Sequence, residues 1–409
     1  MNPMSLKSFR LKNFKAVRDS GPIKLTPLTV FIGSNGSGKS SIIEGLEMLY
    51  TIVSEDLDTA MQPWRDFRHI LNKAVLHDLH PRKREATSDR SERPYHTNPV
   101  SFHLDGQLQE KVKFTYTMEI TDGQGSNDLF IKQETLKQSG KNVPRFDFMR
   151  NASGHVTGKY IVDEATPLDA KLEDGISLIN LGMAHLPYDI PLKNFIQNWQ
   201  FLSLIPQNMG SPKRQRRAIS RAKLEKDGSN IAEYLLEIKD RDAEAFNGIA
   251  SSLQLILPYS QDLQIALTSE LERSLYPQIT EGNFKVPGWL LSTGTLRILA
   301  LLALLRHPEP PPLIIIEEIE NGLDPSSVQL IVNEIRNAVE DGRTQIIMTT
   351  HSPYLLDQLL LDHIVLVERI EGKPVFSRPG DNEHLQKWAE RFTLGRLYTA
   401  SKLSVKDSL

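Results

Sequence analysis

The sequence predicts an α/β protein whose parallel sheet is assembled from both ends of the chain. Three observations predict it. An apolar strand pattern at Leu28–Ile32 runs straight into a glycine-rich loop, and helical spacing follows from Ser40 to about Val53. Between Val100 and Ile161 the pattern changes to period 2, which marks antiparallel strands. From Leu290 onward strands again alternate with helices, so a second α/β half closes what the first began.

Taken in order, the chain opens with alternating apolar residues over Leu6–Phe14. Residues Arg65–His96 are polar, basic and proline-containing, and are expected to be a loose insertion. Within the period-2 region, the runs Lys113–Ile120 and Leu129–Leu136 are separated by the turn signals Asp122-Gly123 and Ser139-Gly140. From Leu168 to Leu257 the spacing is mostly helical, interrupted by Pro206 and by Gly210–Pro212, and Tyr259–Leu267 reads as a further strand. No internal repeat and no sustained heptad pattern is present. The expected division is a discontinuous α/β core from 1–55 and 285–409 built on the glycine-rich loop, a β-rich part at 56–165 carrying the insertion 65–96, and a mainly helical subdomain at 166–284.

Bulk properties exclude several classes. Across 409 residues, 48 Lys and Arg nearly balance 51 Asp and Glu, so nucleic acid would have to bind through a local patch. With no cysteine, disulfides, thiolate zinc sites and cysteine catalysis are excluded, and a reducing compartment fits. No signal-peptide pattern opens the chain. The longest apolar runs, Ile298–Leu305 and Leu313–Ile316, are too short to span a bilayer. A cytoplasmic protein without a membrane partner is expected.

The residues Gly33, Ser34, Asn35, Gly36, Ser37, Gly38, Lys39 and Ser40, followed by Ser41, fit G-x-x-x-x-G-K-[ST] in the required strand–loop–helix context. Glycines let successive backbone N–H groups point at one anion, and the helix N-terminus adds partial positive charge. Lys39 can reach the β- and γ-phosphates of ATP, and the Ser40 hydroxyl can ligate Mg²⁺. A chance glycine turn is the plain alternative, and the full motif in this context argues against it.

Downstream, Leu313-Ile314-Ile315-Ile316-Glu317-Glu318 reads as a buried parallel strand ending in two carboxylates, where open α/β sheets bind ligands. Period 2 sends Glu317 and Glu318 opposite ways, one toward a magnesium-bound water and one toward the attacking water. Gln345–Thr350 is another apolar strand, and His351 beyond it can donate to a γ-phosphate, although a lone histidine there is more often an ordinary surface residue. Ser292, in Leu291–Arg297, is a good N-cap for a helix running to about Arg306 and stopped by Pro308, and the N–H groups after it form a second anion site. A simple capped core helix fits that segment equally well.

In this order the motifs resemble the ABC-type ATPase class, closest to RecF- and SMC-like heads and to the stand-alone AAA-type ATPases of bacterial defence operons. The resemblance covers most of the chain, from Phe9–Lys15 and Leu28–Gly33 through Asp227-Gly228-Ser229-Asn230 to Thr350-His351-Ser352. It implies an ABC-type head with mixed and antiparallel sheets and an inserted helical and β subdomain. It also implies that Lys39 and Ser40 bind phosphate and metal, that Glu317 is the Walker B acid, that Glu318 is the catalytic base, and that His351 contacts the γ-phosphate. Ser292 and Gly294 would close the site on a second subunit, with Asp324 of the D-loop-like Asn321–Pro325 at the dimer interface and Gln207 as the Q-loop residue near the metal. Two positions depart from the pattern: Glu317 stands where aspartate is usual, and Thr293 where ABC transporters have glycine. The stretch after His351 has no acidic cluster suited to a TOPRIM nuclease, so any nuclease is expected on another polypeptide.

Three functions stay open. One is a homodimeric or higher-order ATPase that senses or gates a separate effector in anti-phage defence. Another is a RecF-like ATPase acting on DNA in repair or recombination. The third is a nucleotide-dependent scaffold with negligible turnover. The densest basic run, Lys213–Lys223, could touch a nucleic-acid backbone, but a solvated loop or a phosphate-side contact serves as well, and Arg82-Lys83-Arg84 is a weaker signal.

Overall fold

The computed structural model describes residues 4–74, 98–108, 112–123, 129–140, 145–161, 164–181, 190–214, 223–269 and 272–404. The fold is α/β, with one antiparallel sheet, one mixed sheet and a smaller antiparallel sheet. The chain forms two compact units that interleave in sequence. The first comprises Met1–Thr26, Phe31–Trp199 and Val365–Arg378, and the second Pro27–Val30, Gln200–Ile364 and Pro379–Leu409.

The first unit is built on a nine-stranded antiparallel sheet. Its strands are β1 (Ser5–Phe14), β2 (Val17–Asp19), β3 (Ile23–Lys24), β5 (Val100–Leu108), β6 (Val112–Asp122), β7 (Leu129–Ser139), β8 (Arg145–Arg150), β9 (His155–Ile161) and β10 (Ala165–Lys171). They run in the order β10-β9-β8-β7-β6-β5-β1-β2, with β3 also on β1. Period-2 sequences produce it: along β5 every odd-numbered residue position from Val100's neighbour outward is half-exposed while Val100, Phe102, Leu104 and Leu108 are buried. Glu134 breaks the apolar rule on that inward face. Its carboxylate accepts from the Tyr116 and Ser177 hydroxyls and from the Leu178 N–H at 2.8 Å. Burial raises the Glu134 pKa, and those donors offset only part of the rise. Buried Arg150 donates to the carbonyls of Ile131, Glu173 at 2.9 Å and Asp174 at 3.0 Å, tying the loop after β10 to the sheet. That loop in turn holds the far end of the helix Lys39–Ser54: Asn180 Nδ2 donates to the Val53 carbonyl at 3.0 Å.

The expected insertion is ordered at its start. Asp66 caps a short helix, Phe67–Ile70, and Phe67, Ile70 and Leu71 are buried because their spacing puts them on one face. Residues 75–96, Arg82-Lys83-Arg84 included, lie outside the described residues.

The mixed sheet has strands β4 (Leu28–Ile32), β11 (Gln200–Leu202), β16 (Leu313–Ile316), β17 (Gln345–Thr349), β18 (Ile364–Ile370) and β19 (Lys373–Ser377), ordered β11-β16-β17-β4-β18-β19. Strand β4 is divided between the units: it starts with the second and ends, at Phe31 and Ile32, with the first. In the second unit β11, β16 and β17 are parallel, with Phe201, Ile315 and Ile347 in register. All of β16 and β17 is buried, as the apolar runs Leu313–Ile316 and Ile346–Met348 require. The smaller sheet orders β12 (Lys213–Arg214), β14 (Ser274–Glu281) and β13 (Ser260–Leu267), with β15 (Phe284–Pro287) on β14. The region read as mainly helical thus carries strands as well as the helices Ile231–Arg241 and Ala243–Ile256. The helix Thr293–Leu305 is apolar on nearly every side and buried, and Arg306 at its end pairs with Glu334 of the helix Pro325–Glu340 at 2.7 Å.

Candidate nucleotide site

In the first unit, β4 ends at Ile32 and the chain turns through Gly33–Gly38 into the helix Lys39–Ser54. Gly33, Gly36 and Gly38 have φ of 148°, 71° and 120°, which only glycine adopts without strain. A side chain at Gly33 would also meet the Val367 carbonyl of β18 at 2.1 Å. Gly38 offers no side-chain cap and the first turn holds no acid, so the helix N–H groups stay available to an anion. Lys39 is buried, and its ammonium donates to the carbonyls of Gly33 at 2.8 Å and Ser34 at 3.1 Å, folded back over the loop. Ser34, Asn35, Gly36 and Ser40 are exposed, while Ser37 and Ser41 are buried. Ser37 Oγ is buried with no hydrogen-bond partner among the described residues.

In the second unit, Glu317 and Glu318 leave the end of β16, Glu317 half-buried and Glu318 exposed. Glu318 has φ of 46°, a left-handed conformation that costs a non-glycine residue about 1–3 kcal/mol. The surroundings hold it there. Glu318 N–H donates to Thr349 Oγ1 at 2.9 Å, and Asn321 Nδ2 donates to Glu318 Oε2 at 2.6 Å. Glu320 accepts from the backbone N–H of His351 at 2.7 Å, joining this turn to the loop after β17. Neither Thr349 nor Glu320 was singled out by the sequence; their partners lie 31 residues away.

Ser292 is the N-cap of the helix Thr293–Leu305, accepting from the Thr295 N–H at 3.1 Å. Gly294 has a job inside its own chain: a Cβ there would stand 2.7 Å from the Gly322 carbonyl. Asp324 likewise caps the helix Pro325–Glu340, accepting from the N–H groups of Ser326 and Ser327. The second unit therefore links Glu318, His351, Gly294 and the Asn321–Asp324 turn through short contacts. Gln207 is exposed on the four-residue helix Pro206–Met209, and among the described residues no hydrogen bond ties its side chain to that turn.

The Asp227–Asn230 segment braces the turn that carries Gln207. Asn208 Nδ2 donates to Asp227 Oδ2 at 2.9 Å, and the Ile205 N–H to the Asp227 carbonyl at 2.9 Å. Lys213, first of the basic run, is engaged by Glu225 and by Ser229 Oγ at 2.7 Å. Residues 215–222, with Arg216, Arg217 and Arg221, lie outside the described residues.

Residues 28–357 match the family described as "AAA domain, putative AbiEii toxin, Type IV TA system". The chain belongs to this family of AAA-domain proteins. The match begins at β4 and ends just past the His351 loop, so it takes in every motif above. No curated protein matches the chain in sequence. Among solved structures, the SMC head domain from Thermotoga maritima aligns over 92% of this chain and 99% of its own, at 14% identity and a TM-score of 0.47. An Smc head domain with an extended coiled coil, bound to the C-terminal domain of ScpA and derived from Pyrococcus furiosus, aligns over 95% and 100%, at 13% identity and 0.46. Among the described residues no helix is long and apolar enough to cross a membrane.

Proposed function

We propose that the chain binds and hydrolyses ATP as an ABC-type ATPase, working as a dimeric regulatory subunit with a separate effector. The observation that carries the ATP reading is the strand–loop–helix cradle of Gly33–Ser41, with three glycines at positive φ and an uncapped helix end. Family membership supports the ATPase class. The family's description names a toxin of a toxin–antitoxin system, which favours a defence or growth-control output exerted with a partner. A RecF-like role on DNA is the second reading; Lys213, the first residue of the basic run, is paired with Glu225.

In this reading Ser40 and Glu317 would be the protein's donors to Mg²⁺. Ser40 and Glu317 offer hard oxygens, and no group of three or more His, Cys, Asp or Glu side chains that could hold a metal occurs among the described residues. An ion kept mainly by nucleotide phosphates and water needs no more from the protein. Bound Mg²⁺ supplies charge neutralisation on the phosphate oxygens. The chain's own residues do the rest in this proposal. Lys39 leaves its loop carbonyls for the phosphates, and the loop N–H groups orient them. Glu318, aimed by Thr349 and Asn321, takes the proton of the attacking water. His351 donates to the γ-phosphate, and Ser292 and Gly294 face the nucleotide of a second copy. Phosphate release by the purified chain, compared with Glu318→Gln, tests the reading: the variant should bind ATP and lose turnover.

A further inference from the structure

The end of β16 and the end of β17 are cross-tied, and one of the ties has no part in the proposal above. The two strands are parallel neighbours with Ile316 opposite Met348, so the acidic turn and the His351 loop leave the sheet side by side. Glu318 N–H donates to Thr349 Oγ1 at 2.9 Å in one direction, and His351 N–H donates to Glu320 Oε1 at 2.7 Å in the other. Within the loop, Ser352 N–H donates to Thr350 Oγ1 at 3.0 Å and Leu355 N–H to Ser352 Oγ at 3.3 Å. Glu320 Oε1 thus fixes the amide that sets the direction of His351. Its other oxygen, Oε2, is buried with no hydrogen-bond partner among the described residues. Buried carboxylate oxygens are normally satisfied, so a side chain retained in this state needs a reason beyond stitching two strands together. A hydroxyl could join the strands without that cost. A carboxylate makes the stronger, charge-assisted bond to a backbone N–H.

We infer that Glu320 is a positioning residue that holds the His351 loop in register with the Glu317–Glu318 turn, so that both address the same phosphate. This inference rests on the proposed roles of Glu318 and His351. Displacing a catalytic group by about 1 Å costs about 100-fold in rate, so loss of the tie should lower kcat and leave KM nearly unchanged. Glutamine keeps an oxygen acceptor for the His351 amide, whereas alanine does not.

The experiment combines two readouts on the full chain: wild type, Glu320→Ala, Glu320→Gln, His351→Ala and the Glu320→Ala/His351→Ala double variant. Hydrogen exchange over 349–352 should rise in Glu320→Ala and stay near wild type in Glu320→Gln, with other peptides unchanged. In steady-state ATP turnover, kcat should fall about 10- to 100-fold in Glu320→Ala and recover at least partly in Glu320→Gln. The double variant should be no worse than His351→Ala alone. Unchanged exchange over 349–352 in Glu320→Ala overturns the tie itself. Additive losses in the double variant, or a glutamine variant as impaired as alanine, overturn the positioning role. Absent turnover in wild type, or full turnover in His351→Ala, instead defeats the underlying ATPase reading and with it the role of Glu320, even where the exchange result shows the tie intact.

Discussion

At the scale of single residues, Glu317 and Glu318 are adjacent yet differ in surroundings. Glu318 is exposed, held at positive φ and gripped by Asn321, while Glu317 is half-buried. Turnover in Glu318→Gln should fall by about 10²- to 10⁴-fold with ATP binding retained, measured as phosphate release and equilibrium nucleotide binding. A Glu317→Gln variant that abolishes turnover while Glu318→Gln stays active would reverse the two roles. Asp324 makes a second prediction. The Ser327 hydroxyl first, with the Ser327 and Ser326 N–H groups, holds its carboxyl down to about 2, against the upward push of burial. A lowered folded pKa stabilises above the ordinary value of 3.8, and that stability is lost as the pH falls through about 2. Asp324→Ala should therefore cost about 1 kcal/mol of stability near neutral pH, as for other lost N-caps. In urea unfolding the gap to wild type should hold from about pH 7 to 5 and narrow toward pH 3; a gap that widens in acid would contradict the assignment. The Ser292 cap and the glycines of the phosphate loop were legible in the sequence because each acts on its immediate neighbours. Glu320, Thr349 and the buried Glu134 were not, because each answers to a partner 31 to 44 residues away.

At the scale of elements, β4, β16 and β17 were legible from length and mainly apolar character, and β6 and β7 from their period-2 runs. The three-residue β11 was not, since its place beside β16 depends on pairing with residues more than a hundred positions on. Nor could the sequence show that Gly294 is required by its own chain. Because a Cβ there would crowd the Gly322 carbonyl at 2.7 Å, Gly294→Ala should lower the unfolding midpoint even in a monomer. Thr293 is the cleaner probe of a shared site: it is exposed in the first turn, where an acidic side chain suits the helix. Thr293→Glu and Lys39→Ala should each be inactive alone. Mixed together, they should recover part of the activity in heterodimers that pair a sound phosphate loop with a sound signature. No recovery in verified heterodimers would place the whole site within one chain.

At the scale of the whole molecule, the cradle, the acidic turn and the His351 loop all fall within the family match of residues 28–357. The match also takes in most of the nine-stranded sheet, β5–β10, and the smaller sheet, β12–β15. The purified chain is expected to hydrolyse ATP slowly and to leave DNA and RNA intact, its output requiring a second polypeptide. Metal-dependent cleavage that survives Lys39→Ala and is lost on substitutions elsewhere would refute that expectation. Whether Gly33–Ser41 cradles ATP for hydrolysis is decided by ATP affinity and phosphate release on folded wild type and Lys39→Ala, side by side. Wild type should show Mg²⁺-dependent binding and release, with affinity in the variant weakened about 10- to 100-fold by loss of a charged donor and release abolished. Wild-type affinity in a folded Lys39→Ala protein would contradict it.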